Sequence, residues 1–283
     1  MPLSSDLLDV KAHAITVNGN SALSSTVGTP FGAGNCCHFD GAGDWLATPT
    51  SSDWAFGTGD FTCEAWVYCA SLPGGGSNND MLVLGQVVAT PYPFFYLDNA
   101  TGKMSLFDGA SGVTGSTGIT LSAWNHLEWS RSAGTLKLFL NGVSIASQSF
   151  GTNFSSNSSF GVGGGSGGNR YFNGYISNAR VTKGAARHTA NFSVPTAPFP
   201  RPTITGTVYD SAGAKAAKVV VAQKRSTLAV AGQTVSNGST GIYTIYPADF
   251  SEHVVTEFDT ATYPLVDGGS GENAIIYDRV IPG

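Results

Sequence analysis

The sequence predicts an all-β protein built from two β-sandwiches, and three observations predict it. Only 12% of the 283 residues are Asp, Glu, Lys or Arg, too few to coat the solvated faces of long helices. There are 37 glycines, and Ser, Thr and Asn supply most of the remaining polarity, which is the chemistry of strands and tight turns. Wherever a hydrophobic period can be read it is two. In residues 61–69 the odd positions are apolar and the even positions mix polar with aromatic side chains, as on a strand covered on one face and partly covered on the other.

Strands are expected at 61–69, 81–88, 94–97 and 103–107, then at 126–131, 135–140, 143–146 and 175–182. Asn141-Gly142 between two alternating runs is a hairpin signal, because a type I′ turn needs positive φ at both central positions. Many short strands joined by Gly/Ser/Asn-rich loops indicate a sandwich or jelly roll. Pro195, Pro198, Pro200 and Pro202 form a stiff, extended linker over 195–202, so a first domain is expected at 1–194 and a second at 203–283. In the second, runs at 203–209, 218–223, 242–246, 253–258 and 274–280 predict a small Ig-like or transthyretin-like sandwich.

The formal net charge is −5, and no window gathers Lys and Arg into a patch, which argues against a nucleic-acid partner. No run of about 18 apolar residues spans a membrane, and residues 1–17 lack the basic start and apolar run of a secretory signal. Cys36, Cys37, Cys63 and Cys69 are expected as free thiols. Six residues of extended chain, roughly 20 Å, separate the last two and forbid a bridge between them. Free thiols suit a reducing compartment.

Several motifs resemble a known family. Phe39-Asp40-Gly41-Ala42-Gly43-Asp44-Trp45-Leu46, residues 56–67, Trp124-Asn125-His126 and Asn141-Gly142-Val143 resemble the concanavalin A-like, laminin-G-like jelly-roll domains over about residues 10–200. The closing run, 172–184 with 186–192, resembles the subtype common in tailed-phage structural proteins. Downstream, residues 204–210 and Gly241-Ile242-Tyr243 are similar to the carboxypeptidase-regulatory-like fold, and 272–283 resemble the C-terminus of many phage virion proteins. The resemblance implies a non-enzymatic bacteriophage virion structural protein on the particle exterior, in the first place a capsid decoration protein. The alternatives are a tail or fibre component or a glycan-binding adhesion module. Its partners would be other virion proteins, further copies of itself and a surface glycan. Assembly would take place in the host cytoplasm, followed by incorporation into the virion.

Candidate chemistry is sparse. Asp40 and Asp44 are read as turn caps, with calcium ligation as the alternative. Residues 163–168 satisfy both GxGxxG and GxSxG, yet no helix follows, so neither motif has its required context. Glycosidases on a concanavalin-like fold need two carboxylates about 5 Å apart, and no Glu-x-Asp-x-Glu strand exists. Glu64 reads as isolated, Glu128 as facing Arg131, and His126 as solvated, with pairing to either carboxylate as its alternative, so no catalytic, cofactor-binding or metal residue is assigned. The candidate ligand or partner contacts are the loop aromatics Tyr92, Phe95 and Tyr171, with Phe94, Phe95 and Tyr96 as alternating packing residues the competing reading. Trp66, Trp124 and Trp129 are expected between the sheets. Residues 1–11, with Leu7, Leu8 and Val10, are too short to supply a full edge strand, which predicts an open edge suited to self-association.

Overall fold

The computed structural model describes residues 13–75, 79–86, 90–165, 170–200, 203–210, 212–245, 247, 253–258 and 275–280. They contain no α-helix, only a 3-10 turn at Ser52–Trp54. Two compact units are present, one of His13–Phe199 and one from Pro200 onward.

In the first unit, with strands numbered along the chain, one seven-stranded sheet runs β1 (Thr16–Asn18), β4 (Trp45–Ala47), β13 (Gly161–Val162), β6 (Met81–Gly85), β7 (Phe94–Leu97), β8 (Lys103–Phe107), β9 (Gly112–Gly118). The second sheet, also of seven strands, runs β12 (Val143–Ser149), β11 (Thr135–Leu140), β10 (Trp124–Ser132), β5 (Phe61–Cys69), β14 (Asn173–Lys183), β3 (Cys36–Asp40), β2 (Ala22–Ser24). Neighbouring strands pair antiparallel, as in β5 with β10 and with β14. This is the jelly-roll sandwich the sequence predicts.

The core follows from the period of two. Phe61, Cys63, Ala65, Val67 and Cys69 of β5 join Leu127 and Trp129 of β10 and meet Met81, Val83, Phe95, Leu97, Met104 and Leu106 from the first sheet. Trp129 also ties the sheets directly, its indole Nε1 donating to the Ser105 carbonyl at 2.9 Å. Asn141 and Gly142 have φ of 51° and 79°, the two positive values the hairpin requires. Two of the three tryptophans expected in the core lie elsewhere. Trp66 and Trp124 share strand faces with Glu64 and His126, so alternation turns them outward. Trp66 packs edge-on to Phe31 and His126, and Trp124 to Tyr68.

Thr16–Asn18 pairs with Trp45–Ala47 and is the outermost strand of the first sheet; the open edge expected ahead of it concerns residues 1–11. Leu7, Leu8 and Val10 lie outside the described residues, as do Val87 and Val88 of the strand expected at 81–88. Gly85 closes that strand, since a Cβ there would stand 2.2 Å from the Pro93 carbonyl at φ +136°.

All four cysteines are buried and unbridged. Burial pushes Cys36 and Cys69 up to about 11, Cys37 to about 12 and Cys63 well above the ordinary thiol range. Native protein is therefore expected to leave a thiol reagent unreacted at pH 8, and protein unfolded without reductant to release four equivalents. A lower count after unfolding contradicts the assignment.

The second unit pairs β15 (Ile204–Thr207) with β18 (Ile242–Ile245) and builds a four-stranded sheet in the order β17 (Val230–Val235), β16 (Val219–Lys224), β19 (His253–Phe258), β20 (Ile275–Val280). Ile204, Val208, Val220, Ala222, Tyr243, Ile245 and Val255 form its core. The Asp210 carboxylate caps its turn by accepting from the Ala212 and Ala214 amides. β17 is not anticipated from the sequence. Its Val-Ala-Gly-Gln-Thr-Val has no clean alternation, and a register irregularity opposite Ala222 and Gln223 shifts its phase.

Candidate functional site

The outer face of the first sheet carries an aromatic patch. Phe94 and Tyr96, two residues apart on β7, stack at 4.7 Å and 20°. The Arg170 guanidinium lies 4.6 Å over the Phe94 ring and 3.9 Å from the Asp80 carboxylate. Phe107 is the cross-strand partner of Phe94 and receives the edge of Tyr92 at 6.4 Å. Of the three aromatics expected to contact a ligand, Tyr92 therefore belongs to this patch. Tyr171 follows Arg170 directly and is half-buried beside Gly164. Phe95 does not belong. The strand begins at Phe94, so alternation sends Phe95 inward, where it is fully buried against Trp129 and Phe61. Burial holds the Asp80 carboxyl above its ordinary value, although the Asn99 amide and Arg170 pull the other way.

Asp40 and Asp44 close turns. The fully buried Asp44 accepts the Asn20 amide at 2.7 Å on Oδ1 and the Asp40 amide at 3.0 Å on Oδ2, and Asp40 accepts the Ala42 amide. The Asn20 side-chain amide, oriented to satisfy its surroundings, donates to both carboxylates. Among the described residues no group of three or more His, Cys, Asp or Glu is placed to hold a metal ion.

The outer face of the second sheet overturns three expectations. Glu64, His126 and Glu128 are all 0% exposed. Glu64 is not isolated, because it is the cross-strand partner of Glu128. Its Oε1 accepts from Arg180 Nε at 2.8 Å and Nη2 at 2.7 Å, and its Oε2 lies 3.2 Å from His126 Nε2. Glu128 does not face Arg131. Positions three apart on a strand point to opposite sides, so Glu128 turns outward to His188 Nδ1 at 2.7 Å and Arg131 turns inward. There the Arg131 guanidinium donates to the carbonyls of Gly57, Gly59 and Thr152 and lies over the Phe61 and Phe154 rings. The outward carboxylates are buried because residues 184–199 cross over them.

The two carboxylates differ in character. Burial works against ionisation of Glu64, but the His126 hydrogen bond and the Arg180 charge outweigh it and hold the carboxyl below its ordinary value. Burial, reinforced by the neighbouring Glu64 charge, pushes Glu128 up to about 8. Nothing in the local pattern around Glu64 or Glu128 signals the cover, whose residues lie more than 100 positions from Glu64 in the chain.

A family model described as the concanavalin A-like lectin/glucanases superfamily, of laminin-G type, matches residues 40–189. The chain belongs to this superfamily. The match runs from the end of β3 into the cover over the second sheet, and so takes in both outer faces. A search of curated proteins finds no match. Among solved structures, domain 4 of the extracellular arabinanase AbnA from Geobacillus stearothermophilus, in complex with arabinotriose, is 19% identical with a TM-score of 0.50, covering 63% of this chain and 88% of that one. The binding domain of botulinum neurotoxin serotype D is 12% identical with a TM-score of 0.50, covering 66% of this chain. This superfamily member spans about half, 48%, of that neurotoxin chain. At these identities the likeness is one of fold, a lectin-like jelly roll.

Proposed function

We propose that the chain is a non-catalytic glycan-binding module whose sugar surface is formed by Tyr92, Tyr96 and Phe107 around the buried Phe94, beside Arg170 and Asp80. The observation that carries the reading is the group of half-buried aromatics, Tyr92, Tyr96 and Phe107, on an outer sheet face, bordered by an ion pair. Aromatic faces stack on the apolar side of a pyranose or furanose, and a few fixed polar groups bond its hydroxyls. Membership in a superfamily of lectins and glucanases supports it, as does the arabinotriose held by the AbnA domain. For catalysis, the paired carboxylates of the second sheet are out of reach. Glu64 and Glu128 are sealed, and Asp98, close to the patch, is engaged by the amides of Ala100 and Thr101.

A glycan array followed by titration of the best ligand tests this. Tyr96→Ala is expected to weaken binding about 10-fold, from the loss of one stacking contact worth roughly 1.4 kcal/mol. No polysaccharide should release reducing ends. An array without hits, or binding unchanged in Tyr96→Ala, removes the proposal.

A virion exterior is the setting favoured by the closing run at 172–192, with capsid decoration first and a tail position second. In that setting the partners are other virion proteins and further copies of the chain, and the second unit is an Ig-like companion domain. Immunogold labelling and copy number per particle distinguish head from tail.

A further inference from the structure

Residues 184–199 leave β14 and cross the outer face of the second sheet without forming a strand or a helix. They are fastened along their length. At the start, the Gly184 amide donates to the Asp60 carbonyl, and Thr62 Oγ1 donates to the Ala185 carbonyl while accepting the Arg187 amide. In the middle, Lys137 Nζ donates to the Thr189 carbonyl, the Ser144 amide to Asn191 Oδ1 and the Phe192 amide to the Gly142 carbonyl. At the end, the Phe199 amide donates to Asn178 Oδ1 and the Arg180 guanidinium lies 3.7 Å over the Phe199 ring. His188 and Phe192 stack at 3.6 Å, and Phe192 packs on His126 and Phe139.

Among these fasteners, the amides, hydroxyls and carbonyls do not change protonation between pH 6 and 9. The contact between His188 and Glu128 does. We propose that residues 184–199 form a proton-operated strap, closed while Glu128 and His188 share one proton and opened over 186–192 with release of that proton.

The charges around Glu128 set the direction. Glu64 on β5 disfavours its ionisation, while Arg180 on β14 and Arg187 on the strap favour it. His126 lies beside it on β10, Lys137 reaches the strap from β11, and the Cys63 thiol on the inner side of β5 stays protonated. Burial dominates, and holds His188 below its ordinary value as well. At neutral pH the proton therefore resides on Glu128, which donates it to His188 Nδ1. Glu128 Oε1 is buried without any hydrogen-bond partner. A carbonyl oxygen tolerates that position far better than a carboxylate oxygen does. Lifting the strap admits water to the charge.

The linkage fixes the pH window. A carboxyl raised from 4.5 to about 8 in the closed state favours closure fully below 4.5, and this contribution is lost as the pH rises through 8. Below 6.5, the ordinary value for His188, opening also takes up a proton on that imidazole, and the two effects cancel. Between 6.5 and 8 opening releases one net proton. The opening constant then climbs tenfold per pH unit, about 30-fold across the window, and levels off above it.

Amide hydrogen exchange on the intact chain from pH 6 to 9, corrected for intrinsic chemistry, reads this directly. Protection of the Arg187 and Phe192 amides is expected to fall about 30-fold between pH 6.5 and 8 and then level, while β5 amides stay unchanged. In Glu128→Gln the slope vanishes. A flat wild-type profile, or the same slope in the variant, overturns the strap. If the variant fails to fold, carboxyl carbon NMR of the wild type decides. A glutamate titrating near 8 supports the proposal, and a spectrum in which every carboxyl ionises below 6 ends it.

Discussion

Replacing Arg131 with Met is expected to lower the stability of the first unit by about 4 kcal/mol. The guanidinium is fully buried on the core side of β10. Its Nη1 donates to the Thr152 carbonyl at 2.7 Å, its Nη2 to the Gly57 carbonyl at 2.7 Å, and its Nε and Nη2 to the Gly59 carbonyl at 2.9 and 2.6 Å. These carbonyls belong to two loops, 55–60 and 150–154, that close one end of the sandwich. A methionine fills similar volume but takes the guanidinium donors away from the Gly59 and Thr152 carbonyls, each costing roughly 1–3 kcal/mol, while the Gly57 carbonyl keeps the Phe154 amide. For a unit of this size the melting temperature should fall by about 8–16 °C. Arg131→Lys should also destabilise, because one ammonium cannot span the fork. Thermal unfolding followed by circular dichroism checks both, and a drop of only about 2 °C in Arg131→Met, about 0.5–1 kcal/mol, defeats the assignment.

Glu64→Leu is the second large effect, with an expected cost of about 3–5 kcal/mol for breaking a buried charge pair from one side. Arg180 loses both of its carboxylate bonds, and the buried His126 loses its partner at Nε2. The wild-type pH profile carries the same information. Glu64 is held below its ordinary value of 4.5, so its stabilising contribution is complete above 4.5 and is lost as the pH falls through the lowered folded value. Glu64→Leu should therefore be less stable at neutral pH, and its acid limb should lack this part of the slope. An unchanged acid limb refutes the role.

The legible strands are those in which two or three full alternations can be read. Phe61–Cys69, Phe94–Leu97, Lys103–Phe107 and Thr135–Leu140 are placed to the residue. Thr16–Asn18, Ala22–Ser24, Trp45–Ala47 and Gly161–Val162 are too short for a period of two to show. Gly112–Gly118, with three glycines, reads as a loop, and only its neighbours in the sheet make it a strand. The site was less legible. A Glu or His alternating outward from a strand is solvated unless something covers it, and the cover over Glu64, His126 and Glu128 comes from distant sequence. Phe95 was misplaced for a simpler reason, since its parity within β7 outranks its closeness to a proline-rich loop.

The position of β5 in its sheet has a kinetic consequence. It lies between β10 and β14, and eight of its nine residues are buried. Yet one of its edges waits for a strand that begins at Asn173. At about 5–20 residues per second, the roughly one hundred residues between Cys69 and Asn173 keep that edge unpaired for about 5–20 s of synthesis. During this interval the nascent chain presents a long, largely apolar template, interrupted by Glu64, to its neighbours on the same message. The yield of native protein is therefore governed by how quickly residues 173–183 follow, and slower initiation, which spaces ribosomes apart, should improve it more than faster elongation of the first half.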